Sequence, residues 1–262
     1  MRKIILKGKT ALVTGAAHGI GEAIALELAY EKCKLLLVDY DRKKLEDTAK
    51  EIRPLGIEPI LYICNLANAK EREHLHSFTL RNNLKIDALV NNVSVGHWAM
   101  FIDTPEDKYE EIINLNIKCT THLTKIFLSS MIERDEGHIV NLSSTAAFIG
   151  GPHIACYSAT KAYIHSFSES LSMELNKTGV NVLAVCVGAT ETHFWEYSGM
   201  IGTTYEKTIC KMPAKKVAEK TIFAMKAGKS DVTIGLKNKI ARMLVKLTPR
   251  EWTKSLALWR FD

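Results

Sequence analysis

The chain has 262 residues, 47% of them hydrophobic and 24% charged, with a net charge of +6. These proportions exclude a disordered or fibrous chain, no apolar run is long enough to span a membrane, and the opening Met1-Arg2-Lys3-Ile4-Ile5-Leu6 is too short in apolar residues for a signal peptide. Basic residues are spread along the chain without a nucleic-acid motif or a basic stripe, so the expectation is a cytoplasmic enzyme with no nucleic-acid partner.

In chain order, short apolar runs alternate with longer amphipathic stretches, the rhythm of repeated β-α units on a parallel sheet. Strands are predicted at 10–14, 34–38, 59–64, 88–91, 138–142, 181–186 and 231–234. Helices are predicted at 20–32, 42–53, 70–82, 106–131, 155–177 and 214–227. Seven strands and six crossovers make an α/β fold, a doubly wound parallel sheet with helices on both faces. No repeat, low-complexity stretch or Pro/Gly/Ser-rich linker interrupts it, so 1–262 reads as a single domain. Two segments break the rhythm: 191–212, polar and aromatic, and the basic tail 236–262. Ligands of a doubly wound sheet lie beyond the carboxyl ends of its strands, so 191–212, following the sixth strand, is placed to cover a substrate.

The first strand runs into Thr14-Gly15-Ala16-Ala17-His18-Gly19-Ile20-Gly21 and then a helix. Gly15 permits a sharp turn, Gly19 a close backbone approach to a pyrophosphate, and Gly21 close packing of helix on strand. The helix that opens at Ile20 offers its unpaired N–H groups to the phosphates, and His18 is either a further phosphate ligand or a neutral loop residue. The second strand ends at Asp39, eighteen residues after Gly21. A carboxylate there accepts both ribose hydroxyls and repels a 2′-phosphate, which favours NAD; Arg42 and Lys43 close behind keep NADP possible.

Six cysteines at 33, 64, 119, 156, 186 and 210 have no Cys-x-x-Cys spacing and no histidine motif, so neither a metal site nor a disulfide framework is expected. Tyr157 and Lys161 stand one helical turn apart, with Ser144 thirteen residues upstream of Tyr157. Free tyrosine ionises near pH ~10, and a neighbouring ammonium favours its phenolate, so the pair can pass a proton to or from a carbonyl oxygen. The same Tyr-x-x-x-Lys spacing recurs at Tyr30/Lys34 and Tyr40/Lys44, which lack a serine upstream and read as solvated surface.

Together these residues resemble the short-chain dehydrogenase/reductase family over about 8–235, through the glycine loop, Asn91-Asn92-Val93-Ser94, Asn116, Ser144 and Tyr157-x-x-x-Lys161. The finer resemblance is to the branch of 3-oxoacyl reductases and 17β-hydroxysteroid dehydrogenases. The resemblance implies a Rossmann fold in which Tyr157 is the general acid/base, Ser144 holds the carbonyl oxygen, and Lys161 lowers the tyrosine pKa while binding the nicotinamide ribose. Asn116 is implied to keep a water in a proton relay to Lys161. Asn92, Asn65 and Leu66 are implied near the adenosine, and Gly188, Thr190 and Thr192 at the nicotinamide end. Three departures stand out: Val93-Ser94 replaces the usual Ala-Gly, Asn65 the usual aspartate, and Val187-Gly188 the usual Pro-Gly. Homodimers or homotetramers are implied by the resemblance alone.

Trp98, His193, Phe194 and Trp195 lie where an apolar alcohol or ketone would be walled in, or else only pack the lid on the sheet. The tail 237–247 is a basic amphipathic helix followed by Trp252 and Trp259; this permits peripheral membrane contact, and equally packing on a partner subunit or over the active site. The expected function is an NAD(P)-dependent oxidoreductase that interconverts a secondary alcohol and a ketone, such as a 3-oxoacyl or steroid-like compound. The alternative is a non-catalytic nucleotide-sensing regulator or scaffold on the same fold.

Overall fold

The computed structural model describes residues 4–261; Met1-Arg2-Lys3, Asp262 and several carboxyl-terminal side chains, that of Trp259 among them, lie outside the described residues. The strands are β1 Thr10–Thr14, β2 Lys34–Asp39, β3 Ile60–Ile63, β4 Ala88–Asn91, β5 Gly137–Ser144, β6 Val180–Val187, β7 Thr190–Glu191, β8 Met212–Pro213 and β9 Asp231–Thr233. Seven of them form one parallel sheet in the order β3-β2-β1-β4-β5-β6-β9, and β7 pairs with β8 apart from it. This is the Rossmann-type doubly wound sheet expected from the alternating pattern. Order reverses between β1 and β4, and that switch point opens the crevice in which ligands of such sheets bind.

The helices are α1 Gly19–Tyr30, α2 Arg42–Ile52, α3 Ala69–Arg81, α4 Glu106–Ile113, α5 Thr120–Glu133, α6 Ala155–Glu174, α7 Phe194–Tyr197, α8 Thr204–Thr208, α9 Ala214–Lys226, α10 Leu236–Leu247 and α11 Arg250–Phe261. Covering both sheet faces lets the strands be apolar without alternation. Along β1, Val13 joins the core shared with α1, α2 and α9, through Ile24, Leu45 and Ile222. Its neighbour Leu12 joins the opposite core under α3, α5 and α6, with Leu75, Leu123 and Leu171.

The helix expected at 106–131 is divided. A π-helical turn, Asn114–Cys119, separates α4 from α5. The widened turn holds Asn116, 1% exposed, so that its amide reaches across to Val95. The segment 191–212 is tied at both ends by the β7–β8 pairing and carries α7 and α8 between, and the tail forms α10 and α11.

Candidate active site

The floor of the crevice is the loop between β1 and α1. Gly15 and Gly19 hold φ of +63° and +64°, a region that L side chains avoid. A Cβ on Gly21 would collide with the Gly15 carbonyl, so the third glycine brings α1 against the turn itself. Asn92, at the switch point, ties this loop: its Nδ2 donates to Thr14 O at 3.0 Å and Gly15 O at 3.1 Å. Asp39 holds the same loop from the other side, with Oδ2 accepting from Ala17 N at 3.0 Å and Oδ1 from Asp41 N at 3.1 Å. Its carboxylate is buried, at 6% exposure. Ile20 lies in the first turn of α1, half-buried on the core under that helix.

Two carboxylates that sequence reasoning passed over also work here. Glu22 accepts from the Gly19 N–H at 3.2 Å, and burial raises its pKa, with Glu51 adding to the rise. Glu71 accepts from Asn65 N at 2.6 Å, while Asn65 Oδ1 accepts from Ala67 N at 2.9 Å, which closes the turn after β3. Leu66 is buried in that turn, and its carbonyl takes a 2.6 Å bond from the buried Arg72 guanidinium. The signal for Glu71 was its place in the first turn of a helix, where a carboxylate meets free N–H groups.

Ser144, Tyr157, Lys161 and Asn116 converge from β5, α6 and the π turn. Ser144, the last residue of β5, lies beside the Tyr157 phenol, close enough to lower its pKa, and accepts from Ala146 N at 3.1 Å. Lys161 Nζ lies 5.6 Å from the Tyr157 ring centre and donates to Leu142 O at 2.9 Å. Burial pushes the phenol up to about 12, against the lowering effect of the neighbouring Ser144 hydroxyl. Burial likewise pulls Lys161 down to about 8. Both N–H groups of the Asn116 amide are spent, on Val95 O at 2.9 Å and Thr160 Oγ1 at 3.0 Å, and its oxygen accepts from Val95 N at 2.9 Å. Thr160 in turn donates to the Tyr157 carbonyl at 2.7 Å, so Asn116 fixes the helical turn that presents the phenol. The other two Tyr-x-x-x-Lys copies are surface: Tyr30 is 59% and Tyr40 64% exposed.

The lid closes the far side. The Phe194 ring lies tilted against the Tyr157 ring, centres 5.3 Å apart, and a Cβ on Gly96 would strike it. Trp98 stacks on His153 at 5.0 Å and on Tyr205 at 5.8 Å. Trp195 is turned into the core of the lid, donating from Nε1 to Thr190 O at 2.8 Å beneath the Lys211 ammonium. His193 is exposed; it pairs with Glu196 at 3.5 Å and meets His18 of the glycine loop edge-on at 5.8 Å, so loop and lid touch across the crevice. The Thr192 methyl group sits where a Cβ on Gly19 would fall. Gly188 has a neighbour the sequence did not show: a Cβ there would strike the Asn238 amide of α10.

Comparison with known proteins agrees with this arrangement. Residues 9–199 match the family model for short chain dehydrogenase. An uncharacterised oxidoreductase of Staphylococcus aureus (strain MRSA252) is 30% identical over 222 residues, covering 84% of this chain and 92% of the relative. Two solved structures share the fold. One is a short-chain dehydrogenase/reductase from Burkholderia phymatum in complex with NAD, at 23% identity and TM-score 0.84, covering 92% of this chain and 94% of that one. The other is a 7β-hydroxysteroid dehydrogenase, at 22% identity and TM-score 0.85, covering 98% and 99%. With the glycine cradle at the switch point and the family match over most of its length, the chain belongs to the short-chain dehydrogenase family and is an NAD(P)-dependent oxidoreductase.

Proposed function

We propose that this oxidoreductase interconverts an apolar secondary alcohol and its ketone, with Tyr157 moving the proton and NAD as the preferred cofactor. The observation that carries the reading is the convergence of Ser144, Tyr157 and Lys161 from β5 and α6 onto one point beside the glycine cradle.

The residues fit a dinucleotide. The positive-φ turns at Gly15 and Gly19 lead bare backbone into the α1 N-terminus, where free N–H groups suit a pyrophosphate, and buried Asp39 at the end of β2 suits ribose hydroxyls. When bound, the nicotinamide would supply the hydride chemistry. In the reducing direction, Ser144 orients the carbonyl oxygen and the Tyr157 hydroxyl delivers a proton to it as it becomes an alkoxide. In the oxidising direction, the phenolate takes that proton from the alcohol. Lys161 stabilises the phenolate through its charge, and Asn116 is a positioning residue that acts through Thr160 and Val95.

Phe194, Trp98 and the half-buried Ala146 give the substrate an apolar wall, which suits a ring or chain buried by the hydrophobic effect. The likeness to a 7β-hydroxysteroid dehydrogenase supports a bulky substrate of that kind. Tyr157→Phe tests the mechanism: turnover on a panel of 3-oxoacyl thioesters, steroids and simple ketones should fall roughly 10²–10⁴-fold while NADH binding persists. Turnover equal to the parent would remove Tyr157 from the chemistry. NADH binding without turnover by the parent on any substrate would favour the nucleotide-sensing regulator.

A further inference from the structure

We propose that α10, with the turn into α11, docks on an anionic lipid surface. The helix is inverted relative to the usual surface helix, which turns its apolar stripe inward. Its half-buried residues are Asn238, Arg242 and Val245. Asn238 Nδ2 donates to Ile234 O at 2.7 Å, and Arg242 Nη1 donates to Thr233 Oγ1 at 2.9 Å, so polar bonds hold the helix to the body. The apolar side chains face outward as one stripe: Leu236 is 74% exposed, Ile240 46%, Met243 54%, Leu244 53% and Leu247 75%. Trp252, one turn beyond, is 72% exposed. A contiguous stripe of this kind marks an interaction site.

Charge selects the occupant. Lys237 borders the stripe on one side, Lys239 and Lys246 on the other, and all three are exposed. Residues 236–262 hold seven Lys or Arg against two Asp or Glu, so five of the six net positive charges of the chain belong to this tail. A second copy docked by two-fold symmetry would set these lysines against their own images, which costs energy. An anionic bilayer takes the stripe into its acyl boundary and pairs the lysines with headgroups. No described helix is long and apolar enough to cross a membrane, so the tail would lie on it. α11 also touches α8 of the lid.

The test is co-sedimentation of the full chain, without cofactor or substrate, with vesicles of equimolar phosphatidylcholine and phosphatidylglycerol and with vesicles of phosphatidylcholine alone. Binding to the anionic vesicles is expected, weakening with salt. Each of Lys237→Gln, Lys239→Gln and Lys246→Gln should weaken it about fivefold. Leu244→Ser and Leu247→Ser, at exposed positions and with the fold checked by circular dichroism, should each weaken it roughly tenfold. Sedimentation with neither vesicle, or sedimentation indifferent to all five substitutions, overturns the proposal. So does a chain whose dimer dissociates on the leucine substitutions but which ignores vesicles, because the face is then an interface between copies. No arm reads turnover, so failure here is distinguishable from failure of the catalytic reading.

Discussion

Lys161 holds its ammonium 5.6 Å from the Tyr157 ring and gives a hydrogen bond to the Leu142 carbonyl, so its charge is kept beside the phenol by the backbone of β5. Burial opposes charge on both partners, raising the phenol to about 12 and lowering the lysine to about 8. The protein therefore spends stability to keep a cation at the site.

That cost has a sign in pH. Lys161 ionises near 8 when folded against 10.5 unfolded, so both states are protonated below pH 8 and the folded state carries the full penalty. The penalty is up to about 3 kcal/mol and fades as pH rises from 8 towards 10.5, where the unfolded chain also loses the proton. Lys161→Met removes the charge at similar length and loses the Leu142 bond, worth about 1 kcal/mol. The variant should melt a few degrees above the parent at pH 7 and lose turnover, with the melting gap narrowing at higher pH. A gap that stays constant with pH would show that burial of the ammonium is not its origin.

The structural and the proposed cofactor duty of Asp39 can be separated by a pair of substitutions. Its oxygen accepts from Ala17 N and holds the glycine loop, and under the proposed preference for NAD its charge would repel a 2′-phosphate. Asp39→Asn keeps an acceptor for one of the two N–H groups, Ala17 N or Asp41 N, and removes the charge, so the ratio of NADPH to NADH affinity should rise about tenfold with a smaller loss of melting temperature than in Asp39→Ala. Asp39→Ala leaves the Ala17 N–H without its acceptor, about 1–3 kcal/mol if buried, and should weaken both cofactors. Fluorescence titration with the two dinucleotides reads both effects. An unchanged ratio in both variants would exclude the carboxylate from cofactor choice.

What the sequence made legible was local. Gly15, Gly19 and Gly21 announce themselves because a tight turn into a helix needs them in that order, and the seven strands because parallel strands are short and apolar throughout. Tyr157 was separable from Tyr30 and Tyr40 by its position after a strand ending in Ser144. The π turn at Asn114–Cys119 left no trace, because one wide turn barely disturbs a helical apolar pattern and what widens it is Asn116 reaching Val95, twenty-one residues away. Asn92 resembled a cofactor residue; what the sequence did not show is that its Nδ2 also braces the glycine loop, donating to Thr14 and Gly15, 78 and 77 residues distant. The tail was plainly amphipathic, yet only the structure shows which side faces out, because that depends on what receives Arg242.

Arg242 is received by a half-buried cluster. Its Nη1 donates to Asp231 Oδ2 at 2.5 Å, its Nη2 to His165 Nε2 at 3.3 Å, and the guanidinium lies 4.3 Å over the Phe148 ring. Burial lowers the pKa of His165, with Arg242 and Lys246 adding to the fall and Glu169 and Asp231 opposing it. A histidine whose folded pKa lies below its unfolded 6.5 contributes stability above that pH, and the contribution is lost as pH falls below it. The parent should therefore lose melting temperature between pH 7 and pH 5, and His165→Asn should flatten that loss. Arg242→Gln leaves Asp231 without its cation at 12% side-chain exposure of the arginine, so at pH 7 it should destabilise by about 2–3 kcal/mol. It should also make the acid loss shallower, because a positive neighbour of His165 is gone. Melting curves for the three proteins from pH 5 to 7 decide the matter, and an acid loss as steep in His165→Asn as in the parent would place the sensitive group elsewhere.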